Sequence, residues 1–251
     1  MATYPAGQIK KRRRRLSGMT WIFLGLLIFF VAAAAFTAII RHDRPTANIE
    51  FGQSAPRMMV GVDDWETTEG GVTFENITVP NGPADQAGLV GGDVITTFDG
   101  QTVTSDDDAK DVLAKIPIGK TVDVVFIRDG ETKTTKLTTI SRQEYDRLAE
   151  EFENRPWGNG RFGFDDDETE RVPIPGTKMF GVRLDDITAN LPADMAGIRE
   201  GDIVIEFDGI PIRTPQEMAA RVRRAKPYEP IKVVVMRGDQ RLEIPVKMGK
   251  A

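Results

Sequence analysis

The sequence predicts a mainly β chain with short helices: two small, partly open β-barrel or sandwich domains after one transmembrane helix. Three observations predict it: an internal repeat in the C-terminal part, a 22-residue uncharged stretch near the N-terminus, and β-branched runs punctuated by Gly and Pro. The 251 residues, 40% hydrophobic and 28% charged, suffice for two domains and are too apolar for general disorder.

Residues 10–15 read KKRRRR, and no acidic residue precedes Asp43. Met19 to Ile40 then carries no charge, long enough to cross a ~30 Å hydrocarbon layer as a helix with its backbone satisfied internally. Trp21 suits the interface, and only Arg41, Arg44 and Arg57 follow closely. The positive-inside rule therefore places the N-terminus in the cytoplasm and the rest outside. A cleaved signal peptide is the competing reading. It shares the basic start, and Ala33-Ala34-Ala35 or Thr37-Ala38 suits cleavage, but its apolar region usually runs only ~7–15 residues. Either way the C-terminal part leaves the cytoplasm.

Composition removes several chemistries. With no Cys there are no disulfides, thiolate metal sites or cysteine nucleophiles. The single His42 sits at the membrane boundary, which weakens most hydrolase and zinc-enzyme readings. Setting the basic run aside leaves 27 Lys+Arg against 38 Asp+Glu, a net of −11, which argues against nucleic acid as a partner. Neither G-x-S-x-G nor H-E-x-x-H occurs, and no cofactor is expected. A serine peptidase of unrecognised type stays as a third reading, on Ser54, Ser105 and Ser141; Ser105 is better explained as a helix cap. Asp63-Asp64 and Asp165-Asp166-Asp167 invite a hard cation, but their spacing fits no calcium loop; a solvated strand edge explains them better, and no metal is expected.

The repeat supplies the elements in order. Gly71 to Gly100 reads GVTFENITVPNGPADQAGLVGGDVITTFDG, and Gly181 to Gly209 reads GVRLDDITANLPADMAGIREGDIVIEFDG. Upstream, Val60 to Asp64 pairs with Phe162 to Asp166. Val72–Ile77 and Val182–Ile187 alternate as strands with one buried face. Pro83 to Gly88 and Pro192 to Gly197 form single-turn helices, with Pro at the start and Gly at the stop. Strands then run into Asp99-Gly100 and Asp208-Gly209 turns. A capped helix starts at Ser105, with Asp108 three residues on, and another at Thr214-Pro215, with Glu217 as the capping-box partner. Val122–Ile127 and Ile231–Met236 end in short hairpin turns at Asp129-Gly130 and Gly238-Asp239. Between the copies, residues 141–160 begin as an amphipathic helix and break at Pro156, Gly158 and Gly160. Trp157 either packs on a neighbouring domain or stands exposed.

The apolar-Pro-Ala-x-x-Ala-Gly-apolar-x-x-Gly-Asp-apolar-apolar stretch and its later Asp-Gly resemble PDZ domains, twice, of the bacterial HtrA type. Pro83, Ala84, Ala87, Gly88, Leu89, Gly92, Asp93, Val94 and Ile95 supply it first. Pro192, Ala193, Ala196, Gly197, Ile198, Gly201, Asp202, Ile203 and Val204 supply it again. The implied layout is a basic cytoplasmic tail (1–18), transmembrane helix (19–40), linker (41–56), PDZ-like domain 1 (57–142), linker (143–159) and PDZ-like domain 2 (160–250). HtrA enzymes carry a trypsin-like domain before these modules; here only about sixteen residues separate span and first copy. The resemblance implies peptide binding without catalysis. An extended peptide adds beside one strand, and backbone N–H groups of the preceding loop catch its terminal carboxylate.

That loop maps to Met59, Val60, Gly61 and Val62, and to Arg161, Phe162, Gly163 and Phe164. Helix residues implied to face the groove are Ala109, Val112 and Leu113, and Met218, Arg221 and Val222; core packing is the alternative for each. The implied partners are C-terminal or unfolded peptide segments, an envelope protease or secretion component, and membrane lipid through the one helix, at a bacterial inner membrane with the domains periplasmic. The runner-up is a scaffold whose domains pack on a fixed partner with no open groove. About eight extra residues around Val172-Pro173-Ile174-Pro175 suggest a cover over the second groove, or a pseudo-ligand within it. The first copy is then expected to bind more readily than the second.

Overall fold

The computed structural model describes residues 58–165 and 168–251. The expected tail, span and linker lie outside them, as do Asp166 and Asp167. Among the described residues no helix is long and apolar enough to cross a membrane.

The first copy contains β1 (Met58–Met59), β2 (Val62–Asp63), β3 (Glu66–Thr68), β4 (Gly71–Thr73), β5 (Asn76–Ile77), α1 (Pro83–Gln86), β6 (Val94–Phe98), β7 (Gln101–Thr102), α2 (Asp106–Lys115), β8 (Thr121–Arg128), β9 (Glu131–Thr138) and β10 (Ile140–Ser141). A linker helix α3 (Arg142–Glu153) follows. The second copy contains β11 (Gly160–Arg161), β12 (Thr169–Pro173), β13 (Phe180–Leu184), α4 (Pro192–Met195), β14 (Ile203–Phe207), β15 (Ile210–Pro211), α5 (Pro215–Arg224), β16 (Pro230–Arg237), β17 (Gln240–Lys247) and β18 (Gly249–Lys250).

The two copies share one topology. An antiparallel sheet runs β3-β4-β6-β8-β9 with β7 on β6, and its repeat runs β12-β13-β14-β16-β17 with β15 on β14. Each sheet shifts register at one place, between Ile95 and Thr97 or between Val204 and Glu206. No closed barrel forms, in keeping with the partly open barrel or sandwich expected. β2 pairs only with β5 as a separate ribbon, and β1 pairs with β10 as another. The single strand expected over Val72–Ile77 is accordingly split. Val72 pairs with Ile95 in the main sheet, whereas Ile77 pairs with Val62 in the ribbon. The chain changes partner at Phe74-Glu75, and Phe74 turns wholly into the core.

Each core lies between the sheet and its long helix. Phe74, Ile77, Ile95, Phe98 and Leu137 fill the first, with Trp65 edge-on to Phe74 and Phe98 at 5.8 and 6.2 Å. Phe162, Leu184, Val204, Phe207, Ile212 and Met218 fill the second. The predicted caps form, Ser105 accepting from the Asp108 N–H and Thr214 from Glu217, and Ser141 caps the linker helix by accepting from Glu144, each at 3.1 Å. The Asp-Gly turns place both residues at positive φ, 56° and 76° at Asp129-Gly130, as a tight hairpin turn requires.

The Gly-Asp repeated in both copies has a structural task. Asp93 is fully buried; it accepts the Val90 N–H at 2.9 Å and binds Arg128 through both oxygens at 2.6 Å. Asp202 does the same with Arg199 N–H and Arg237. Each arginine also donates to a carbonyl, Gly88 or Gly197, at 2.8 Å. The helical turn is thereby tied to the hairpin.

The second copy's extra residues do not cover a groove. Thr169–Pro173 pair in register with Phe180–Leu184 and lengthen the hairpin whose short counterpart is β3-β4. Ile174 packs with Ile205 and Val234 on the outer face of the sheet.

The two copies are joined by buried polar contacts, most of them from the N-terminal turns of α5. Glu217 is 0% exposed. It accepts the backbone N–H groups of Ile77 (3.0 Å) and Gly91 (3.1 Å) in the first copy, and the Arg221 Nε at 2.5 Å. The capping box thus forms only by half. Thr214 donates to the Glu75 carbonyl at 2.5 Å, and Arg213 forms a two-pronged pair with Asp129 at 2.7 Å. Arg221 and Arg224 share Asp85 at 3.1 and 3.4 Å, and Arg224 also donates to the Ile77 carbonyl. Burial, with Arg221 alongside, pulls the Arg224 guanidinium down to about 10.

Candidate functional site

In each copy a buried apolar-Gly-apolar loop leads into a short strand. The carbonyls of Val60 and Gly61 accept the N–H groups of Ala84 (2.9 Å) and Thr78 (3.0 Å). Those of Phe162 and Gly163 accept Ala193 (2.8 Å) and Thr188 (3.1 Å). The loop oxygens are therefore used from within the domain. The N–H groups of Val60, Gly61, Phe162 and Gly163 donate no hydrogen bond among the described residues. Neighbouring free N–H groups of this kind make an anion-binding concavity. Glycine is required at the loop centre: φ is +81° at Gly61 and +103° at Gly163, where an added Cβ would meet the Leu191 Cβ at 2.4 Å.

Beside each loop lies an open strand edge. β2 bonds to β5 on one side only, and in the second copy Phe164 bridges to Ile187. In the second copy, loop and helix enclose a pocket of about 170 Å³. Residues 160–164 form one wall, Ala219, Val222 and Arg223 of α5 the other, and Thr188 and Leu191 complete it. That volume holds one side chain and is below the usual range for small-molecule sites. No residue of the 172–178 insertion lines it, so the expected cover is corrected: the insertion is taken up in its own hairpin.

The structure brings Arg161, Phe162, Gly163, Phe164 and Val222 together around this pocket, with Phe162 and Phe164 edge-to-face at 5.9 Å. Arg221 is placed differently: it turns to Asp85 and Glu217 at the junction of the copies. Met218 is buried in the second core, and Ala109, Val112 and Leu113 are buried in the first. Val60 joins the same core and Val62 packs against it. Met59 lies at the mouth, where Arg142 of the linker helix comes within 4.0 Å of its sulfur. Thr78, whose counterpart Thr188 lines the second pocket, meets the Tyr145 hydroxyl of that helix at 3.0 Å. Sequence reasoning missed Thr188, Leu191, Ala219 and Arg223. The i, i+3, i+4 relation of 219, 222 and 223 was the available signal.

The first acidic pair bears on Glu75. Among the described residues no group of three or more possible ligands converges. Glu75 is raised above the usual carboxylate range by burial first, then by Asp64, Glu66 and Asp63. Arg171 from the second copy's insertion opposes that rise. Trp157, 41% exposed, stands at the junction with Pro80, Phe152 and Arg224.

The sequence pattern described as PDZ domain matches residues 59–139 and 160–248. The chain belongs to the PDZ-domain family. Its tandem PDZ copies are similar to the periplasmic serine endoprotease DegP of Salmonella typhimurium, at 24% identity over 172 residues, 66% of this chain and 32% of that protein. A probable periplasmic serine protease, do/HhoA-like, of Haemophilus influenzae is 26% identical over 166 residues, 66% of this chain and 33% of that protein. The chain thus spans about a third of the length of these curated relatives. Among solved structures, the HtrA-type protease AlgW with decapeptide matches at TM-score 0.36 and 17% identity, covering 55% of this chain and 43% of that one. The HtrA3 PDZ domain bound to a phage-derived ligand (FGRWV) matches at TM-score 0.29 and 23% identity, covering 36% of this chain and 88% of that one.

Proposed function

We propose that this tandem PDZ protein is a membrane-anchored adaptor or sensor that recognises C-termini or unfolded segments, linked to proteolysis in the bacterial envelope. The observation that carries the reading is the set of free loop N–H groups beside an unpaired strand edge. An extended peptide can pair its backbone along that edge and set its carboxylate on the N–H groups. The tie to envelope proteolysis rests on relatives named as periplasmic serine proteases. We read the chain as a binder rather than a hydrolase, since its matched length is given to PDZ modules and His42 is its only histidine.

A C-terminal peptide library offered to the full chain tests this. Free-carboxylate peptides are expected to bind at least about tenfold tighter than their C-terminal amides, because the amide forfeits charge-assisted bonds. Gly61→Leu and Gly163→Leu together are expected to abolish binding, since each needs left-handed backbone and blocks approach of the carboxylate. Equal binding of acid and amide would favour the closed scaffold instead.

The membrane part of the proposal rests on the uncharged stretch from Met19 to Ile40. A reporter active only outside the cytoplasm, fused after Ala251, is expected to be active. An inactive fusion, with the same reporter working inside, would reverse the orientation. A soluble mature chain starting near residue 39 would show a signal peptide.

A further inference from the structure

We infer that the second PDZ groove selects peptide C-termini carrying an acidic residue next to the terminus, through Arg161 and Arg223. The inference rests on the peptide-binding reading and names the ligand class of one of its two grooves. Arg161 immediately precedes the loop and Arg223 lies in the last turn of α5; both line the pocket beside Phe162 and Gly163. Both side chains are exposed, and neither guanidinium has an ion-pair or hydrogen-bond partner among the described residues. Their neighbours on the helix differ: Arg221 and Arg224 are committed to Asp85.

Geometry fixes which ligand position they meet. A peptide ending at the Gly163 N–H must run antiparallel to the strand through Phe164. Its last side chain enters the pocket, and by alternation the preceding side chain points to the rim. The rim there carries the two arginines. The last turn of α5 also brings the partial negative charge of a helix C-terminus toward the same end. Arg223 offsets that charge where a carboxylate arrives.

The first copy lacks the feature. Met59 and Ala114 occupy the corresponding positions. Of its helix cations, Lys110 is paired with Asp106 at 2.6 Å and Lys115 stands one position past Ala114, where the second copy has Arg224; Arg142 is paired with Asp146 at 3.1 Å. The two grooves therefore differ in the charge they present.

The test uses the full chain in detergent with Gly61→Leu, so that the second groove is read alone. Three otherwise identical peptides end in Glu-Val, Gln-Val and Lys-Val. Glu-Val is expected to bind roughly three- to tenfold tighter than Gln-Val, with Lys-Val weakest, the scale of two exposed ion pairs. In Arg161→Ala/Arg223→Ala the ratio of Glu-Val to Gln-Val binding should fall to about one, whatever the change in overall affinity. Raising the salt should shrink the preference in the parent. Equal binding of Glu-Val and Gln-Val, or a preference that survives in the double variant, overturns the assignment and leaves peptide binding standing. Failure of all three free-carboxylate peptides to bind removes both.

Discussion

Glu217→Ala is expected to cost the folded tandem about 3–5 kcal/mol and to divide its unfolding into two steps. The carboxylate is fully buried and satisfies three donors, the Ile77 and Gly91 N–H groups and Arg221. Truncation strands two buried amides and leaves a guanidinium facing Asp85 alone. Breaking a buried charged network from one side carries a cost of about that size. Glu217→Gln keeps the shape and one oxygen acceptor, so its loss should be smaller, about 1–2 kcal/mol. With Trp21 and Trp157 replaced by Phe in parent and variant alike, Trp65 against the first core is the one Trp left, so fluorescence reports the first copy and circular dichroism both. In urea the two signals should coincide for the parent and separate for Glu217→Ala. Coincident curves at an unchanged midpoint would show that the clamp does not hold the copies together.

Asp93→Ala should lose about 3–5 kcal/mol, more than the equivalent Asp202→Ala at about 2–3 kcal/mol. Each aspartate ties the loop after the single-turn helix to the hairpin arginine through two short bonds. The difference follows from what is left behind. Arg128 is 14% exposed and Arg237 29%, so Arg237 regains water more readily once its partner is gone. Urea midpoints of the two variants decide it; equal shifts would mean that burial of the arginine does not set the cost.

The modules were legible because their signals are local. Pro83 and Pro192 start turns, Gly88 and Gly197 stop them, and Ser105 and Thr214 cap helices within three residues of their partners. The loop around Gly163 was legible through its repeat at Gly61. The union of the copies was not. Glu217 stands where a capping-box acid belongs, and nothing within its own helix says that its oxygens go to Ile77 and Gly91, more than a hundred positions away. Arg221 has helical spacing to Met218 and Val222, so sequence places it on the groove; the first copy's Asp85 draws it off. The Pro-rich insertion suggested a cover because proline disfavours sheet interiors. At the sheet edge Pro173 is tolerated, and Val172 and Ile174 find apolar burial.

The α5 clamp also decides what the first copy can stick to. β5 turns its other edge away from β2, and there the Ile77 N–H is taken by Glu217, the Ile77 carbonyl by Arg224 and the Glu75 carbonyl by Thr214. A run of main-chain groups that would otherwise template a foreign strand is closed by side chains of the sister copy. Within that ribbon, strand addition is thereby steered to β2. The first copy cut free of the second would regain that adhesive margin, which makes the second copy part of the first's solubility.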